Sequence, residues 1–189
     1  MHKPGESHWQ AARKILRYLA GSLTKGIVLG GQTMKLTGWA DAGFATVPAD
    51  CHSILGYVIM LGDGPVAWQS VKSKSVNLSS SEAEQYALGD VTRELLWMKI
   101  LFDELLVIVT PIEVYEDNRN VIQWVRDKAI RARTRHIGVQ LNFVRESEKS
   151  GIIKLLWVSG QNQIADIFTK PLAGPLFHKF AALMGIASH

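Results

Sequence analysis

The stretch from Ser79 to about Leu106 constrains the fold more than any other part of the chain. Ser79-Ser-Ser-Glu82 has capping-box spacing, in which a serine hydroxyl and a glutamate satisfy the free N–H groups of a first helical turn. Leu88, Val91, Leu95 and Met98 then recur on one helical face. The pattern predicts a long helix with an apolar seam and a break near Gly89 to Thr92. Such a seam has to be buried against another layer.

The flanking segments supply that layer. Leu36 to Ala42, Ile54 to Leu61 and Val66 to Ser70 read as strands, with Gly62-Asp-Gly-Pro65 as a turn. They predict an antiparallel meander, joined to the helix through a short segment at Val76 to Leu78. Ile112 to Glu116 reads as a further strand, followed at once by a helix carrying Val121, Ile122 and Val125. A helix over Ile137 to Lys149, a strand over Ile152 to Val158 and short helices at Ile164 to Thr169 and Gly174 to Met184 complete the order. The fold class is α/β, a mixed sheet with helices packed on it. Ser7-His-Trp-Gln10 opens an earlier helix, so residues 1–31 form a leading segment and residues 32–189 the main domain. Six tryptophans fall on six elements, a dispersion that predicts core positions and argues against a stacking platform.

Composition narrows the class. Hydrophobic residues are 47% and charged residues 20% of 189, which excludes a disordered chain. Cys51 is the only cysteine, so no disulfide can form within the chain. No apolar run approaches the ~20 residues of a membrane-spanning helix, and His2, Lys3, Pro4 and Glu6 stand where an export signal needs apolar residues. The net charge of +4 is concentrated between Arg126 and Arg135, which holds five basic residues and one acid. Such a patch suits a phosphate backbone, and equally a solvated loop. Arg131, Arg133 and Arg135 are the candidate nucleic-acid contacts. His136 closes the run as either a packing residue or a further contact.

Four acids stand out as an ordered set, although each is a weak signal singly and Asp166 alone would read as an exposed helix acid. Glu84 continues the seam of Leu88, Val91, Leu95 and Met98, where a carboxylate is costly unless a cation compensates it. Glu82, by contrast, has a structural role available in the capping box. Asp41 is the one charge in Leu36 to Ala42, and Asp is unfavourable in strands. Asp117 ends a strand and is either a helix N-cap or a site residue. Asp166 lies in Ile164 to Phe168. Carboxylates sharing a site repel one another and call for divalent cations, and a set of oxygen ligands favours Mg²⁺ or Mn²⁺ over zinc.

At these residues the sequence resembles the ribonuclease H domain that ends a copia-type LTR-retrotransposon polyprotein. The resemblance is carried by Gly38-Trp-Ala-Asp-Ala-Gly-Phe-Ala45, Ser53-Ile-Leu-Gly-Tyr57, Leu78-Ser-Ser-Ser-Glu-Ala-Glu-Gln-Tyr-Ala87, Val114-Tyr-Glu-Asp-Asn118, Ala132-Arg-Thr-Arg-His-Ile137 and Ile164-Ala-Asp-Ile-Phe-Thr-Lys-Pro-Leu172. His8 to Tyr18 looks like the connection from the preceding reverse transcriptase. The resemblance implies a five-stranded mixed sheet flanked by helices, and Asp41, Glu84, Asp117 and Asp166 as catalytic ligands of two Mg²⁺ ions, replaceable by Mn²⁺. It implies endonucleolytic cleavage of the RNA strand in RNA/DNA hybrids, with the reverse-transcriptase domain as a partner. It also implies an intracellular place, either a cytoplasmic virus-like particle or the nucleus, and no membrane. The sequence departs from the family at Gly43, where a further acid is usual, and at Glu116, where a neutral residue is usual. Such departures leave a second reading, a decayed or repurposed domain that binds nucleic acid without cutting it.

Overall fold

The computed structural model describes residues 4–31, 33–47, 50–107, 109, 111–127 and 137–188. The chain opens with α1 (Glu6–Ala20) and a short β1 (Lys25–Ile27), followed by β2 (Leu36–Val47), β3 (His52–Leu61) and β4 (Gly64–Lys72). Then come α2 (Ser80–Glu104), β5 (Ile112–Glu116), α3 (Arg119–Arg126), α4 (Gly138–Lys149) and β6 (Ile153–Trp157). Two 3-10 turns, Gly160–Asn162 and Ile164–Phe168, lead into α5 (Gly174–Leu183) and β7 (Ile186–Ser188).

The main sheet has five strands in the order β4-β3-β2-β5-β6. The meander is antiparallel, while β5 runs parallel to both β2 and β6. This is the expected mixed sheet. One face buries Leu36, Ala40, Ala42, Ile112, Val114 and Leu155 under the α2 seam of Leu88, Val91, Leu95 and Met98. The other face packs Val58 and Met60 against Ile164, Phe180 and Met184. The sheet is thus covered on both sides, and the turn at Ile164–Phe168 is held against β2 and β3.

Several local expectations are corrected. α2 is unbroken through Gly89. A Cβ there would come within 2.1 Å of the Gln140 side chain, so the glycine admits α4 and does not interrupt the helix. α1 is capped by Gly5, whose N–H donates to His8 Nδ1 at 2.9 Å, and Ser7 lies inside the helix. β1 and β7 pair in a small antiparallel sheet that the sequence does not predict; both strands are only three residues long, too short for a periodic signal.

Four of the six tryptophans are not core residues, while Trp39 and Trp124 pack against the core. Trp9, Trp68, Trp97 and Trp157 are exposed, and Trp39 and Trp124 are half-buried. Dispersion over many elements is as compatible with a surface as with a core. Trp39 lies on the sheet face away from the α2 seam and stacks on Tyr115 with ring centroids 4.0 Å apart.

Candidate metal centre

Strand alternation decides where the first acid goes. Leu36, Ala40 and Ala42 face the α2 side, so Asp41 points to the opposite face, where it is buried. There the Thr169 hydroxyl donates to Asp41 Oδ2 and is also 3.2 Å from the Asp166 carbonyl. Asp166 sits inside the 3-10 turn Ile164–Phe168 and is buried as well. The turn is tied to β2 by Gln163, whose side-chain amide donates to the Ala40 carbonyl at 2.8 Å. The residue two after Asp41 is Gly43, and a Cβ there would meet the Thr169 carbonyl at 2.6 Å. The departure from the family at this position is therefore built into the packing of the turn.

Asp117 follows the last residue of β5. It is not the helix N-cap: Asn118 takes that place, its side chain accepting from the Asn120 N–H at 2.9 Å. The Asp117 carboxylate is left for the site, while its carbonyl accepts from Trp157 Nε1 at 3.0 Å. Asn118 also donates through Nδ2 to Ser81 Oγ at 3.0 Å, which fixes the end of β5 to the start of α2. Glu84 lies one turn further along α2, 9% exposed, with Oε2 buried and unpartnered. Glu82 has the structural part expected of it. Ser79 Oγ accepts from its N–H at 3.1 Å, and its Oε2 accepts from the Leu78 N–H at 2.9 Å.

All four acids singled out in the sequence thus converge at one place. Asp41, Asp117 and Asp166 each offer an oxygen within 4.8 Å of the others, and Glu84, Glu116 and Asp117 form a second such group. Asp117 belongs to both. Burial is the main force on their protonation, with mutual repulsion added. Glu84 is pushed up to about 8 by burial and then by the charges of Asp117 and Asp41. Asp166 is pushed up to about 7 by burial and then by Asp41, and Asp117 is raised by the same two causes. Crowded, underused carboxylate oxygens of this kind fit a hard divalent cation, whose charge would replace the protons.

The structure adds residues that sequence reasoning did not assign to the site. Glu116 is fully buried, with Oε1 accepting from the Asn118 N–H at 2.9 Å and Oε2 unpartnered. Burial and the nearby charge of Glu84 raise its pKa well above the ordinary glutamate value. Strand alternation from Ile112 and Val114 could have flagged it, since it continues their buried face. Thr169 and Lys170 are the others. Lys170 Nζ lies 2.9 Å from Asp166 Oδ1 and 3.8 Å from Asp41 Oδ2.

The proposed nucleic-acid contacts Arg131, Arg133, Arg135 and His136 lie outside the described residues. Arg126, at the start of the basic stretch, is engaged: its guanidinium bonds Glu148 Oε1 and the Leu155 carbonyl, each at 2.9 Å. That contribution to the patch serves α4 and β6.

No family model matches the chain. The retrovirus-related Pol polyprotein from transposon RE1 of Arabidopsis thaliana is 37% identical over 188 residues. Those residues are 98% of this chain and 13% of that relative, so the chain spans about an eighth of the relative's length. Among solved structures, the N-terminal RNase H domain of a Mycobacterium tuberculosis protein superposes with a TM-score of 0.54 at 16% identity, covering 79% of this chain and 98% of that one. A compost-derived RNase H1 in complex with an RNA/DNA hybrid superposes with a TM-score of 0.53 at 14% identity, covering 71% and 94%.

Proposed function

We propose that this chain, a segment of copia-type Pol polyprotein with a ribonuclease H-like structure, hydrolyses the RNA strand of RNA/DNA hybrids with Mg²⁺ or Mn²⁺. One observation carries the reading: Asp41 from β2, Glu84 from α2, Asp117 after β5 and Asp166 from a late 3-10 turn converge in two groups that share Asp117, with Glu84 Oε2 buried and unpartnered. A fold gains nothing from assembling four acids in this way; each raises the cost of ionising the next. The neighbour solved with a hybrid supports the choice of substrate class.

Asp41, Glu84, Asp117 and Asp166 would hold two ions. When bound, such ions supply activation of a water and charge neutralisation at the departing 3′ oxygen. The chain's own residues do the positioning. Thr169 fixes the Asp41 carboxylate, Gln163 anchors the turn that carries Asp166, and Asn118 locks Asp117 to the start of α2. The water oxygen bonds to phosphorus and gives up a proton to solvent, the P–O3′ bond breaks, and the departing 3′ oxygen takes up a proton, leaving 3′-hydroxyl and 5′-phosphate ends. Discrimination for RNA would rest on 2′-hydroxyl contacts. Arg131, Arg133, Arg135 and His136 are proposed to contact the backbone. The natural partner is the reverse-transcriptase domain of the same polyprotein, acting in an intracellular particle.

One observation favours the alternative of a binding domain without chemistry. Glu116 adds a fully buried carboxyl beside Asp117, which would weaken or redirect metal binding. A labelled hybrid incubated with the chain and Mg²⁺ separates the two readings. Products ending in 3′-hydroxyl and 5′-phosphate support hydrolysis, and binding without products supports the alternative.

A further inference from the structure

Among the described residues, Lys170 is the cation that enters the aspartate group. Its four-residue spacing from Asp166 would ordinarily mark an exposed helical ion pair. Here the partner is buried: the ammonium lies 2.9 Å from Asp166 Oδ1 and 3.8 Å from Asp41 Oδ2, so it is shared between the two aspartates. The backbone beneath it is fixed. Thr169 and Lys170 N–H groups both donate to the Asp166 carbonyl at 3.1 Å, and the Thr169 hydroxyl holds Asp41. The side chain is 40% exposed, and so reaches from solvent to the acids.

Charge decides what this lysine is for. Divalent ions bound among Asp41, Glu84, Glu116, Asp117 and Asp166 would take over the neutralisation that the ammonium now supplies. A phosphodiester then brings one further negative charge and gains a second as the attacking water, its proton released to solvent, bonds to phosphorus. That developing charge calls for a fixed donor beside it. We propose that Lys170 is a substrate-contacting residue whose ammonium leaves the aspartates when divalent ions occupy their oxygens and donates to a non-bridging oxygen of the scissile phosphate. The inference rests on the hydrolysis reading above. The contact makes no covalent bond and transfers no proton.

The test compares the full chain with Lys170→Gln and Lys170→Arg. Without nucleic acid, Lys170→Gln is expected to bind Mn²⁺ more tightly in calorimetry, because a competing cation is gone. At saturating Mg²⁺ its single-turnover cleavage should fall by about 10²-fold, the scale of one lost transition-state donor, and Lys170→Arg should recover most of it. Unchanged cleavage by Lys170→Gln would reduce the lysine to a counter-ion and overturn the proposal. Should the parent itself not cleave, the hydrolysis reading fails, yet hybrid binding in Mg²⁺ still decides this one. A lost phosphate contact makes the salt slope shallower by about 0.7–0.9, whereas equal slopes refute it. If Lys170→Gln melts below the assay temperature, Lys170→Met, which keeps the stem, is read in the same way.

Discussion

Thr169 holds Asp41 across 128 residues of chain, its hydroxyl donating to the Asp41 Oδ2 atom. The same hydroxyl reaches the Asp166 carbonyl at 3.2 Å, so one side chain sets the positions of two acids. Thr169→Val keeps the shape and removes the donor, leaving a buried carboxylate oxygen unsatisfied at a cost of about 1–3 kcal/mol. Denaturant melts should show that loss, and cleavage should fall with little change in KM. Thr169→Ser should restore both. A Val variant with parental stability and turnover would show that Asp41 needs no such support.

Asp41 and Glu84 are expected to separate cleanly from Glu82. Asp41→Asn and Glu84→Gln should each abolish cleavage while the metal-free fold survives, since each removes one member of a repelling set. Glu82→Gln touches the bonds to Leu78 and the first turn of α2. It should cost about 1 kcal/mol of stability, as lost caps do, and leave turnover unaffected. Circular dichroism with a hybrid-cleavage assay reads all three, and the opposite ordering would place the site on the wrong glutamate.

Protonation of the acids gives the metal-free protein a definite pH dependence. Glu84 is pushed up from 4.5 to about 8 and Asp166 from 3.8 to about 7. Between these ordinary and raised values the folded chain keeps protons that the unfolded chain has released. Stability is therefore retained at pH 4 and declines as pH rises toward 8. A tenfold difference in proton affinity between the folded and unfolded chain is worth about 1.4 kcal/mol, and each kcal/mol moves Tm by about 2–4 °C in a chain of this size. Melts in chelator from pH 5 to 8 should fall, and Glu84→Gln should flatten the fall. A Tm that climbs with pH over this range would contradict the burial argument.

Metal should reverse that trend. An ion binds the folded arrangement of distant acids and not the unfolded chain, so it stabilises by mass action. It also competes with protons for its ligands. Millimolar Mg²⁺ or Mn²⁺ should raise Tm, and by more at pH 8 than at pH 6. Asp41→Asn/Asp117→Asn should lose the response. Equal shifts at both pH values would mean that the ions bind elsewhere on the surface.

Much of the fold was legible because its signals are long or doubled. The α2 seam repeats over Leu88, Val91, Leu95 and Met98, and the sheet face alternates through Leu36, Ala40 and Ala42. Glu84 stood out as the wrong residue on that seam. Other features escaped for physical reasons. β1 and β7 are each too short to show a period, and Gly89 marks a close approach of Gln140 that no local pattern announces. Thr169 and Lys170 act across the turn toward Asp41, a relation created only when β2 meets the end of the chain. Glu116 was visible as a departure, but its burial next to Glu84 follows from the side of β5 that faces α2.

The basic stretch yields a prediction that divides its arginines. Arg126 bonds Glu148 and the Leu155 carbonyl, so it joins the end of α3 to α4 and β6. Arg126→Ala should lower stability by about 0.5–1.5 kcal/mol, since its guanidinium is half-exposed, and leave the salt slope of hybrid binding alone. Arg131, Arg133 and Arg135 are proposed to neutralise phosphates, each contributing about 0.7–0.9 to that slope depending on strand form. The triple change Arg131→Ala/Arg133→Ala/Arg135→Ala should weaken hybrid binding and flatten its dependence on salt. Turnover at saturating hybrid should change much less, since the three are not placed among the metal ligands. Titrations of a labelled hybrid at several salt concentrations measure both variants against the parent. A triple variant with the parental slope would make this stretch a solvated surface and move the search for backbone contacts elsewhere.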